Sequence, residues 1–136
     1  MTLPKANTNK ELIERFGKQL SEIFDHSLAQ LTSALNDSDL ETDKDFRKFL
    51  DEYSPKERDI KVAQKALETF VHDIMASFDE SNDFKIVGTL ADQTDVDLRD
   101  LCDGGLHDDQ LKWRERFSTH KDIYSMIFEK DFSGKT

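Results

Sequence analysis

The chain has 136 residues, of which 36% are hydrophobic, with 29 acidic and 19 basic side chains and a formal net charge of −10. That is one domain's worth of chain, and its Leu, Ile, Val and Phe, ten of them Phe, lift it above the roughly 20% level below which chains stay disordered. The charge opposes long-range attraction to nucleic acid or an anionic membrane, so a basic protein is the expected partner, and no stretch approaches the roughly 18–20 apolar residues of a bilayer span.

A single cysteine, Cys102, excludes an intramolecular disulfide and fits a reducing compartment. Residues 1–10 are polar, without the apolar core of a signal peptide. A cytoplasmic location is therefore expected.

Over residues 9–36, Leu12, Ile13, Phe16, Leu20, Ile23, Phe24, Leu28, Leu31 and Leu35 recur at spacings of three and four, which predicts an amphipathic helix. Thr8 and Glu11 read as a capping box at its start, and Asn36, Asp37, Ser38 and Asp39 compete for backbone hydrogen bonds at its end. A short helix over 43–53 would bury Phe46, Phe49, Leu50 and Tyr53. Ser54-Pro55-Lys56-Glu57 then combines an N-cap, a proline at the first helical position and a third-position glutamate. A third helix from there to about residue 79 places Ile60, Ala63, Leu67, Phe70, Val71, Ile74, Met75 and Phe78 on one arc. Packing of this arc along the first helix, with Leu67 at its centre, is the expected core.

Past residue 83 the period changes to two. Phe84, Ile86, Gly88 and Leu90 alternate with Lys85, Val87 and Thr89, Ala91-Asp92-Gln93-Thr94 can turn the chain, and Asp95-Val96-Asp97-Leu98 alternates again. A β-hairpin with its apolar side on the helices is expected, since two strands alone are marginal. Gly104-Gly105 marks a turn. Asp108 or Asp109 could cap a helix carrying Leu111, Trp113, Arg114 and Phe117, and a last helical turn or two holds Ile123, Tyr124, Ile127 and Phe128. The expected class is α+β: two long antiparallel amphipathic helices with a short helix between them, then a hairpin and a C-terminal helical segment. Residues 1–131 form one domain and 132–136 a tail.

Charge is unevenly spread. Residues 1–70 carry 11 basic and 14 acidic side chains (−3), residues 71–111 carry 2 and 11 (−9), and residues 112–136 carry 6 and 4 (+2). Aspartates this dense repel one another, so the middle segment is either solvated turn structure or an acidic docking surface. Asp95, Asp97, Asp100, Asp103, Asp108 and Asp109 are the candidate docking carboxylates. Trp113 is a candidate aromatic anchor beside them, unless the core takes it.

Metal and catalytic motifs are weak. Counting an EF-hand loop from Asp37 puts Thr42 and Lys48 where Gly and a bidentate Glu are required, and counting from Asp92 puts Asp97 and Asp103 there. Cys102 and His107 lack a second pair to complete a zinc tetrahedron. They can be written as a nucleophile and base, but an acidic neighbourhood raises a thiol pKa when activation needs it lowered. His26, His72 and His120 read as surface. Gly134-Lys135-Thr136 lacks the first glycine of a phosphate loop, since position 129 is Glu129. No metal, cofactor or catalytic residue is assigned.

These readings favour a non-enzymatic, acidic, protein-binding inhibitor of bacterial or phage type, an immunity or antitoxin protein whose carboxylates enter the basic site of a partner. The alternatives are a nucleic-acid mimic acting on a DNA- or RNA-binding partner and a small hydrolase using Cys102 and His107. The broad stripe on the first helix leaves room for a dimer seam.

Overall fold

The structure, a computed structural model, describes residues 6–130; the expected tail at 132–136 lies outside them. It is mostly helical with one small antiparallel hairpin, which an α+β description accommodates. In chain order it has α1 (Asn9–Leu35), α2 (Glu41–Leu50), α3 (Pro55–Glu80), β1 (Val87–Thr89), β2 (Asp95–Asp97), a 3-10 turn (Leu98–Leu101), α4 (Leu106–Phe117) and α5 (Ile123–Lys130).

Both long helices start where the local chemistry asks. The Thr8 hydroxyl accepts from the Glu11 amide at 3.1 Å, and Glu11 accepts in return from the Asn7 amide at 3.1 Å. The Ser54 hydroxyl accepts from the Glu57 amide at 3.4 Å, with Pro55 in the first turn. Their ends are solved differently. Neither α1 nor α3 has a basic residue in its last turn, so the orphan carbonyls there need donors from elsewhere. Arg47 of α2 donates Nη1 to the Ala34 carbonyl at 3.0 Å and Nη2 to the Ser38 carbonyl at 3.1 Å. Arg99, after the hairpin, donates Nη1 to the carbonyls of Phe78 and Ser81 at 2.9 and 2.8 Å.

The hairpin pairs Val87 with Asp97, Gly88 with Val96 and Thr89 with Asp95. Its loop closes through the Leu90 amide donating to the Thr94 carbonyl at 2.8 Å and the Asp92 carboxylate accepting from the Thr94 amide at 3.0 Å, with Gln93 at φ 72°.

α1 and α3 run antiparallel, for Arg15, Gln19 and Ser27 meet Asp83, Ser77 and Asp73 respectively. This seam is polar. The buried Ser27 hydroxyl donates to Asp73 at 2.6 Å, flanked by edge-on ring contacts of Phe16 with Phe84 and Phe24 with Phe70.

α1 and α3 thus pack antiparallel as expected, and α2 buries Phe46, Phe49 and Leu50 as expected, but the expected centre of the core on the α3 arc at Leu67 is overturned. Fully buried apolar side chains are Ala34, Phe46, Phe49, Leu50, Leu106 and Ile123, and all but Leu106 form one cluster, bordered by Tyr53, Val62, Met126 and Ile127. The short α2 supplies three of them, whereas α3 buries no residue completely. Leu67 is 67% exposed and Ile60 58%. The reason is rotational: α3 meets α1 through Asp73 and Ser77, and Asp73 lies about 120° around the helix from Leu67.

Candidate functional site

The acidic segment folds around the C-terminal end of α3, and its carboxylates divide into two groups. The first group is internal. Asp97 accepts from the Arg99 backbone amide at 3.1 Å and from Arg99 Nη2 at 2.8 Å. That guanidinium holds the Asp97 carboxyl below its ordinary pKa. Asp97 thus aims Arg99 at the end of α3 and is committed to the fold. Asp109 is largely buried, with Lys112 Nζ 3.7 Å from Oδ1 and no hydrogen-bond partner on that atom.

Asp79, which is not among the docking candidates, is engaged by three donors. It accepts from the amides of Leu106 and His107 at 2.8 and 3.0 Å and from His107 Nδ1 at 2.6 Å. These are the orphan donors of the α4 N-terminus, so the expectation that Asp108 or Asp109 caps this helix is corrected. The helix begins at Leu106 behind Gly105, which has no side chain to offer, and α3 provides the acceptor. Gly105 sits at φ 86°, and a Cβ there would lie 2.8 Å from Asp79 Oδ2. Burial pushes the Asp79 carboxyl up, but the His107 and Leu106 donors outweigh it and hold it below its ordinary value. His107 is raised in turn, chiefly by Asp79 and against burial, with Asp108 adding to the effect.

The second group faces water. Asp92, Asp95, Asp100, Asp103 and Asp108 are exposed. Of these, Asp95 accepts from the Thr89 hydroxyl at 2.8 Å and Asp108 lies 3.5 Å from His107 Nε2. Trp113 is 42% exposed on α4, neither core nor free. Leu101, between Asp100 and Asp103, is 70% exposed. Its signal in the sequence was weak, an apolar residue flanked by Asp100 and Cys102 in no clear period.

The surroundings of Cys102 favour the thiol over the thiolate. Burial pushes the thiol pKa up, and Asp109, Asp79 and Asp103 push the same way, while Cys102 Sγ faces the Leu98 carbonyl at 3.4 Å. A thiolate is the reactive form, and the nearest polar group to His107 Nε2 among its ion-pair contacts is Asp108 Oδ1 at 3.5 Å. A polar groove of about 350 Å³ lined by Lys65, Glu68, His72, Gln110 and Arg114 lies alongside. Its charges are absorbed internally: Arg114 reaches Glu68 at 3.4 Å and Asp122 at 3.0 Å, and Glu68 accepts from the Ile123 amide that starts α5.

Among the described residues, no three His, Cys, Asp or Glu side chains converge as metal ligands, and no helix is long and apolar enough to cross a membrane. The chain matches no known protein family, no characterised protein and no solved structure.

Proposed function

We propose that the protein is a non-enzymatic binding protein that docks a basic protein through its acidic end, as an inhibitor of the immunity or antitoxin kind. The observation that carries this reading is the exposure of Asp92, Asp95, Asp100, Asp103 and Asp108 on the same stretch of chain as the exposed Leu101. Exposed carboxylates beside an exposed apolar side chain suit docking in which the charges steer the encounter and the apolar contact anchors it. Asp97 and Asp109 drop out of the proposed contact set because Arg99 and burial already occupy them. Trp113 stays in it at the margin.

The test is association kinetics. The partner is isolated by affinity capture at low ionic strength, and its binding is followed by stopped flow with wild type and with an Asp100→Asn, Asp103→Asn, Asp108→Asn variant. Slower association and a shallower salt dependence are expected. Equal association rates at low and high salt would overturn the reading.

A further inference from the structure

The observation left over by the fold is the apolar flank of its two longest helices. On α1, Ile13, Leu20, Phe24, Leu28 and Leu35 are exposed, and on α3 so are Ile60, Ala63 and Leu67. The Phe24 and Phe70 rings meet across the seam, which puts both flanks on the same side of the helix pair. Going round each wheel, Gly17 and Leu31 complete the strip on α1, and Phe70 and Ile74 complete it on α3. No charged residue lies inside it. Lys10 and Lys56 stand only at its ends.

We infer that a second copy of this chain covers this face, giving a twofold dimer in which α1 and α3 of each protomer pack on those of the other. Three arguments select a second copy as the occupant. The first is size. From Ile13 to Leu35 the α1 strip advances about 33 Å and from Ile60 to Ile74 the α3 strip advances about 21 Å, which at roughly 10 Å of width each make a face of about 540 Å² per protomer, and two such faces clear the roughly 1,000 Å² expected of a specific interface. A standard interface takes about 800 Å² from each partner.

The second argument is composition. Non-obligate interfaces are about as polar as ordinary surface, whereas homodimer interfaces are markedly more apolar. A strip uncharged over about six turns of α1 and four of α3 belongs with the latter. The third is geometry, because with the twofold axis normal to this face the α1 strip of each protomer can lie on the α3 strip of the other, so that the same patch serves both chains of an isologous contact. The charge does not forbid it. The −9 segment wraps the far end of α3, and residues 1–70 are close to balanced at −3.

The test is sedimentation equilibrium of the full chain with thermal unfolding over about a hundredfold range of concentration. The expected species has twice the 15.8 kDa mass, with a Tm that rises with concentration. Leu67→Glu and Phe24→Glu should each give a single-chain mass with helical circular dichroism retained, since both side chains are exposed in one chain. Leu101→Glu, equally exposed but at the acidic end, should leave the dimer intact. Added salt should strengthen the dimer or leave it unchanged, opposite to its effect on a steered acidic contact. A wild-type monomer at hundreds of micromolar, a Tm independent of concentration, or a dimer that survives Leu67→Glu overturns the inference.

Discussion

Asp79 Oδ2 and His107 Nδ1 lie 2.6 Å apart, and this pair joins the last turn of α3 to the first turn of α4. The contact does three jobs at one place. It neutralises a positive helix terminus with a carboxylate, satisfies two orphan backbone donors and sets the start of α4 at Leu106. Removing the carboxylate should cost the hydrogen bonds and leave the Leu106 and His107 amides short of acceptors. Asp79→Ala is therefore expected to destabilise by about 1–3 kcal/mol, read by denaturant unfolding. Gly105→Ala should act on the same contact, because the new Cβ meets Asp79 and the φ of 86° is strained for alanine. The double variant should be clearly less costly than the two single effects added.

The same pair predicts a pH profile. His107 is raised above 6.5 by Asp79, so its contribution is fully present below pH 6.5 and is lost as pH rises through the folded value. Asp79 is lowered below 3.8, so its contribution is present above that and is lost as pH falls through the folded value. The contact should thus be strongest between the two, with stability declining on either side. Histidine NMR titration should find His107 above its ordinary pKa in wild type and back near it in Asp79→Asn. A wild-type His107 titrating at or below 6.5 would contradict the geometry.

The fold was partly legible from sequence, and the division follows the range of the interactions. Caps made by residues three apart, Thr8 with Glu11 and Ser54 with Glu57, are written locally and fix where α1 and α3 begin. The period of two at Ile86 to Leu90 marks the hairpin for the same reason. Caps made by residues 27 or 21 apart, Asp79 on Leu106 and Arg99 on Phe78, leave no local signature, so the docking candidates included Asp97 while Asp79 was passed over. The apolar arc of α3 was visible, but a helical wheel does not say which part of a broad arc is covered. Ser27 and Asp73 settle that by pairing through the arc's edge.

That correction gives its own prediction. Phe49 is wholly buried in the α2 cluster, so Phe49→Ala should cost about 3–5 kcal/mol at any protein concentration. Leu67→Ala, at an exposed site, should change the unfolding free energy of the single chain by no more than about 0.5 kcal/mol. Any larger loss should appear only at concentrations where two chains associate. Unfolding curves at low and high protein concentration separate these outcomes, and an equal cost for both substitutions at low concentration would return Leu67 to the core.

Arg99 offers the sharpest test of how the acidic end is held. Its guanidinium donates to two carbonyls at the close of α3 while Asp97 grips it from the other side, so one planar fork serves three acceptors at fixed angles. Lysine keeps the charge but presents a single ammonium, which cannot reproduce that geometry. Arg99→Lys is therefore expected to lose most of what Arg99→Ala loses, about 1.5–3 kcal/mol for hydrogen bonds involving a charged group. Asp97→Asn should recover part of its stability through the remaining amide oxygen. Amide exchange at the hairpin gives the local reading: the protection of Leu90 and Leu98, whose amides donate to the Thr94 and Ile86 carbonyls, should fall in Arg99→Lys, while that of the α2 cluster around Phe46 is retained. Stability equal to wild type for Arg99→Lys would mean that charge alone closes α3, and the fork geometry would then have no role in holding the hairpin and its exposed carboxylates in place.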